Sequence, residues 1–107
     1  MTAADALDGT TFSSAYIRLI QMIRTRYPSA KVVCIIGDYL YSGMGEAVRK
    51  IVAHYDQDYV RAADILGQYG FHANSAIPKY NYAHPTAAGM STIANYIYQE
   101  LGAWLDE

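Results

Sequence analysis

The stretch that decides the fold is residues 30–38, which read AKVVCIIGD. Its central residues, 32–36, are apolar at successive positions, and most of them are β-branched. An alternating pattern would indicate a strand with one solvated face, whereas a continuous apolar run is typical of a strand covered on both faces. Gly37 and Asp38 then end the run. The stretch therefore predicts one short buried strand of a parallel sheet.

Helical periodicity flanks this strand on both sides. Apolar residues recur with the i, i+3, i+4 spacing of an amphipathic helix over residues 12–27 and again from Met44 to about Tyr55. A weaker strand is predicted over residues 59–65, an irregular loop over 66–83, and a last helix from a cap at Thr86 to Leu105. This alternation indicates an α/β fold with right-handed crossovers. We expect one three-layer domain, residues 1–107, with a short parallel sheet, helices on both faces and a poorly ordered lead-in over residues 1–11.

The composition excludes several classes of protein. Apolar residues make up 52% of the 107 residues and charged residues 17%, which is unlike a disordered chain. The net charge is −2 and the cations are scattered, so we expect no nucleic-acid partner. The longest apolar run is far shorter than the ~20 residues that span a bilayer, and no signal peptide is predicted. Cys34 is the single cysteine, so it forms no internal disulfide and leaves the compartment unknown.

The sharpest local signal is a His-Pro pair just before the last predicted helix. Residues 81–90 read NYAHPTAAGM. A histidine at the end of a loop, followed by a proline that opens a helix, is held on a rigid base and stays open to a cleft. A general base needs both properties. The alternative is that His84 only caps the helix or packs at its start.

This block resembles the final block of the SGNH, or GDSL-type, ester hydrolases. That block reads Asp-x-x-His-Pro, a few residues, Gly, and then a closing amphipathic helix. The elements over residues 12–33 and 51–65 are similar to those that lie before it in the family, so the resemblance covers residues 12–105. It implies the C-terminal portion of a flavodoxin-like SGNH domain. It also implies that His84 is the general base and that Asn81 takes the place of its orienting aspartate.

The chain departs from the family pattern at the other catalytic positions. The family's serine lies in an early Gly-Asp-Ser block and its oxyanion donors in two middle blocks, all of which would precede Met1. Residues 37–43, GDYLYSG, imitate the first block with Tyr39 in place of the serine. Asp38 and His84 are too close in sequence for the intervening blocks, so we interpret the imitation as coincidence. In a serine-protease triad, an Asn in the place of Asp lowers turnover by about 10⁴.

Two functions follow from the resemblance as expectations. The first is part of a serine ester hydrolase that acts on simple esters or acylated carbohydrates and is inactive as this chain alone. The second is a non-catalytic, degenerate hydrolase module whose tyrosine-rich loop binds a glycan or a protein. We predict no cofactor, and the histidines and Cys34 lack the spacing of a zinc site.

Two further expectations concern the sheet. Asp38 and Asp64 follow the two predicted strands at the edge where sites of parallel sheets gather, although such residues also cap loops. Two strands alone leave apolar edges and faces open. We therefore expect a homo-oligomer, or a missing N-terminal half, to bury Val32, Val33 and Ile35, with no membrane partner.

Overall fold

The computed structural model describes residues 11–40, 42–55 and 58–107. Within those ranges the elements are α1 (Thr11–Arg26), β1 (Val32–Ile36), α2 (Ser42–His54), β2 (Val60–Asp64), α3 (Ile65–Tyr69), β3 (Lys79–Asn81), β4 (His84–Pro85) and α4 (Ala87–Leu105). β1 pairs with β2 in a short parallel sheet, and β3 pairs with β4 in an antiparallel hairpin. The predicted α/β class and short parallel sheet are confirmed. The predicted lead-in lies outside the described residues, apart from Thr11 at the start of α1.

The chain divides into two compact units, and the first comprises Met1–Cys34 and Ser42–Ala62. In this unit α1 contacts α2, as expected of two helices that each carry an apolar stripe. The Arg24 guanidinium donates a hydrogen bond to the Ala30 carbonyl at 2.8 Å and lies 3.8 Å from the centre of the Tyr59 ring. The buried side chains of the unit are Ser13, Ile17, Ile20, Cys34, Val48, Ile51 and Val60.

The second unit comprises Ile35–Tyr41 and Ala63–Glu107. Here α4 contacts β4, so the closing helix packs against the strand that carries the His-Pro pair. The buried apolar side chains of this unit are Ile36, Ala63, Ile65, Ile77, Leu101 and Trp104.

The prediction of an irregular loop over residues 66–83 is wrong at both of its ends. The first end belongs to α3, which begins because the Asp64 carboxylate accepts a hydrogen bond from the Gly67 N–H at 2.8 Å. The second end contains β3 and the turn of the hairpin. Elements this short carry no visible period, so their pattern could not distinguish them from a loop.

The start of α4 is fixed by Thr86, the predicted cap. Its hydroxyl accepts a hydrogen bond from the Gly89 N–H at 3.2 Å, and its own N–H donates to the Pro78 carbonyl at 2.9 Å. Pro78 and Thr86 therefore close the base of the β3–β4 hairpin. A Cβ atom on Gly89 would collide with the same Pro78 carbonyl, so the close approach of helix and hairpin requires glycine.

The prediction that both faces of β1 are buried is wrong for one of them. Cys34 and Ile36 are 3% and 0% exposed, whereas Ile35 between them is 55% exposed. Successive side chains of a strand point to opposite faces, so one face is buried and the other is open at Ile35. No helix in the described ranges is long and apolar enough to cross a membrane.

Candidate functional site

His84 lies in β4, directly before Pro85 and the cap of α4. Its side chain is exposed, and its ring lies 6.0 Å from the Tyr80 ring, centre to centre, at an interplanar angle of 29°. Among the described residues the imidazole makes no hydrogen bond. An open imidazole on a backbone fixed by a proline and a helix cap is able to accept a proton from a group that approaches from solvent.

Asn81 ends β3 and is the Cα partner of His84 in the hairpin, next to an irregularity between Lys79 and Asn81. The two residues carried over from the family block are thus neighbours through the main chain. Their side chains are both exposed, and within the described part of the chain no hydrogen bond joins them. Within the same ranges the imidazole makes no hydrogen bond to a main-chain carbonyl either.

A cavity of about 520 Å³ lies beside this hairpin, within the second unit. Asn81 lines it, as does Tyr80, the residue whose ring stacks with His84. Its full lining is Tyr39, His72, Asn74, Pro78, Lys79, Tyr80, Asn81 and Tyr82. The volume is within the range of small-molecule sites, about 300–1,000 Å³. His84 is not itself among the lining residues, but its stacked neighbour Tyr80 and its strand partner Asn81 are, so the candidate general base is next to a cavity that could hold a small substrate.

Lys79, one of the lining residues, belongs to a buried ion pair with Asp38. The Lys79 ammonium donates to Asp38 Oδ2 at 2.9 Å, to the Ile77 carbonyl at 2.7 Å and to Asn74 Oδ1 at 3.2 Å. The side chains of Lys79 and Asp38 are only 4% and 8% exposed. Asp38 Oδ2 also accepts the Ala73 N–H at 3.0 Å. The pair joins the segment after β1 to the first residue of β3, which leads to Asn81.

The sequence analysis singled out Asp38 but missed Lys79. A lone lysine after a proline carries no local signal, and its partner is 41 positions away. The other strand-end carboxylate, Asp64, caps α3 and lies outside the cavity lining. The two strand-end aspartates therefore have different roles. Asp38 supports the cavity wall through Lys79, and Asp64 caps a helix.

A cluster of aromatic rings centred on Tyr39 lies beside the ion pair. The Tyr39 ring lies 4.3 Å from His72, 6.3 Å from Phe71 and 5.5 Å from Tyr82, centre to centre. Its hydroxyl donates to Asn74 Oδ1 at 2.8 Å, and the Lys79 ammonium lies 5.0 Å from its ring centre. Tyr39, which stands where the family's serine block is imitated, is thus part of the cavity wall. The side chain of Ser42 lies outside the described residues.

Two residues of this cavity have left-handed backbones. His72 has φ of 55° and Tyr82 has φ of 39°, and they are the residues other than glycine with positive φ in the described ranges. This conformation is unfavourable for bulky side chains and is enriched at functional sites. Both strained residues line the same cavity.

The remaining candidates carry no site. Cys34 is buried, and burial raises the pKa of its thiol, with Tyr16 as a hydrogen-bond partner that partly opposes the shift. A thiol held in its neutral form is a poor nucleophile and a poor metal ligand. Among the described residues no group of three His, Cys, Asp or Glu side chains could hold a metal ion.

A short parallel α/β sheet, and a histidine presented just before the closing helix, are features of the SGNH class of hydrolases. The chain belongs to the GDSL-like lipase/acylhydrolase family, because the family model described as GDSL-like Lipase/Acylhydrolase matches residues 2–101. The family resemblance drawn from the His-Pro block is therefore confirmed, and the chain is assigned to a hydrolase of that family. Comparison with curated proteins and with solved structures gave no significant match.

Proposed function

We propose that this chain is the C-terminal part of a serine ester hydrolase that cleaves simple esters or acylated carbohydrates. His84 is the general base and Asn81 is the residue that orients it. The serine comes from residues other than those of this chain. The observation that carries the proposal is the exposed imidazole of His84, whose strand partner Asn81 lines the neighbouring cavity.

The chemistry assigns each proton a place. The serine hydroxyl attacks the acyl carbonyl while His84 takes its proton, and the alcohol leaves with that proton as the acyl–serine ester forms. Water then attacks the acyl–serine with His84 again as base, and the serine and the free acid are released. Asn81 can orient the imidazole through its carbonyl oxygen, but it adds no negative charge beside the imidazolium. We therefore expect slow turnover compared with an enzyme that has aspartate there.

The test begins with the open reading frame upstream of Met1. A Gly-Asp-Ser block about a hundred residues earlier, the distance expected of a complete domain, supports the hydrolase. The encoded protein should then be labelled by a fluorophosphonate and hydrolyse nitrophenyl acetate. In that protein His84→Gln should abolish hydrolysis, whereas His54→Gln, on α2 and away from the cavity lining, should not. Equal activity of the two variants would overturn the role of His84.

A second function is favoured by one observation, the lack of any carboxylate hydrogen-bonded to His84 among the described residues. A degenerate hydrolase module that binds a glycan or a protein needs the cavity but no charged support for the imidazole. Absence of the Gly-Asp-Ser block, together with an Asn81→Asp variant that gains no hydrolysis, would favour this module. A gain of hydrolysis in Asn81→Asp would instead favour the enzyme.

A further inference from the structure

We propose that the cavity beside the β3–β4 hairpin is a subsite for the ring of a neutral sugar, which packs against the exposed rings of Tyr80 and Tyr82. This inference rests on the proposed function and deepens it, because it selects the acylated carbohydrate over the simple ester or the lipid. It also specifies which side chains would recognise the sugar.

The charge of the cavity wall selects a neutral ligand. Lys79 is the charged residue of the lining, and its three donors already have acceptors on Asp38, Asn74 and Ile77. The ammonium is buried and its charge is balanced by the Asp38 carboxylate. The buried pair therefore leaves neither an unpaired charge nor a free ammonium donor for an ionic ligand, which favours a neutral one.

Two exposed tyrosine rings give the cavity a flat apolar surface. Tyr80 and Tyr82 are 71% and 76% exposed, although both line a cavity. Tyr82 is kept there by a left-handed backbone and an edge contact with Tyr39. Tyr82 is the first residue of the two-residue hairpin loop, where positive φ matches the twist of the strands, so the turn itself holds the ring in this exposed position. Flat rings with one polar end suit a ligand that has both apolar C–H faces and hydroxyl groups.

Polar groups with unused hydrogen-bonding capacity complete the lining. Asn74 uses its carbonyl oxygen for Tyr39 and Lys79, and its amide N–H groups have no partner among the described residues. The Asn81 amide has none either within those ranges. Sugar hydroxyls would satisfy these donors, whereas a fatty acyl chain would bury them without partners at a cost in affinity. The lining therefore fits a polyhydroxylated ring better than a lipid tail.

The test is a titration of the chain with methyl glycosides of glucose, galactose and xylose, followed by amide NMR. Octanol serves as the apolar probe, because like the glycosides it carries no charge. At least one glycoside should shift the amide signals of residues 80–82, and octanol should not. The glycosides contain no ester, so their binding is independent of the hydrolytic role of His84. Failure of the glycosides would leave the proposed hydrolase standing, and failure of hydrolysis would leave the sugar subsite standing.

The decisive variant is Tyr82→Asn, because asparagine tolerates the left-handed backbone that Tyr82 adopts. Loss of the ring should weaken glycoside binding by about tenfold. Tyr98→Ala is the matched control, since Tyr98 on α4 is 73% exposed and does not line the cavity. If Tyr82→Asn is poorly folded, Tyr80→Leu replaces it with the same expectation. Shifts at residues 80–82 with octanol alone, no shifts with any glycoside, or equal weakening in Tyr98→Ala would each overturn the subsite.

Discussion

The Lys79 ammonium lies 2.9 Å from Asp38 Oδ2, with both side chains almost entirely buried. Breaking a buried ion pair by removing one partner costs about 3–5 kcal/mol, because the other charge remains buried and unpaired. Here the pair also joins the segment after β1 to the strand that leads to the candidate site. Stability and the placement of Asn81 therefore depend on the same two side chains.

Lys79→Met should lower the free energy of unfolding by about 3 kcal/mol, measured by urea denaturation. Adding Asp38→Asn to it should recover part of the loss, since no charge is then left unpaired. Glu46→Gln is the matched control, because Glu46 pairs with Arg49 on an exposed surface of α2 and should change stability by at most about 1 kcal/mol. Similar small losses in Lys79→Met and Glu46→Gln would contradict the importance of the buried pair.

Gly89→Ala should destabilise the chain by about 1–3 kcal/mol, because the added methyl group meets the Pro78 carbonyl. Gly37→Ala is the control, since a Cβ atom there meets nothing within 4 Å. Thermal unfolding of the two variants checks the difference. A Gly89→Ala chain that melts with the wild type would mean that the hairpin can move away from α4 freely.

The chain should lose stability in alkaline solution through Cys34 and Tyr16. Burial raises the pKa of both groups, so the folded state keeps their protons at a pH where the unfolded chain releases them. The contribution is therefore complete below the ordinary cysteine pKa of about 8.5 and is lost as the pH rises above it. Urea midpoints at neutral pH and at about pH 10 measure the loss. Cys34→Ala should show a shallower decline, and an unchanged decline would refute this origin.

These residues alone should show no esterase activity above that of free imidazole at equal concentration. Acyl transfer needs a positioned serine and an oxyanion hole besides the base. Nitrophenyl acetate hydrolysis checks the rate, and a fluorophosphonate should leave the chain unlabelled. Labelling that is abolished by Ser42→Ala and slowed by His84→Ala would show a self-contained esterase instead.

The expected homo-oligomer remains a prediction, and Ile35 is the residue on which it can be tested. Ile35 is 55% exposed in the middle of β1, where an apolar side chain normally has cover. We expect sedimentation to show a homo-oligomer at micromolar concentration, and Ile35→Lys to shift it towards monomer. A stable wild-type monomer under those conditions would contradict this expectation.

The three long helices could be predicted because each buries one stripe, and burial of a stripe leaves a period in the sequence. Thr86 could be predicted as a cap for a similar reason, since capping is a local interaction. The wall of the site could not, because it depends on pairings between distant residues, such as Lys79 with Asp38 and Tyr39 with Tyr82. His84 was visible only because a proline and a helix follow it directly. The exposure of Ile35 could not be predicted, because a continuous apolar run does not show which face of the strand is covered.

The hydrogen bond between Pro78 and Thr86 lies between the hairpin, whose tip contributes to the cavity, and the helix that follows His84. Because it closes the base of the hairpin, the tip at Tyr82 and Ala83 can be exchanged without loosening the backbone that carries His84. A change at the tip would alter what the cavity accepts, while the backbone of His84 stays joined to the start of the closing helix. Ligand preference and proton transfer could thus evolve independently, although only two positions separate the residues responsible for them.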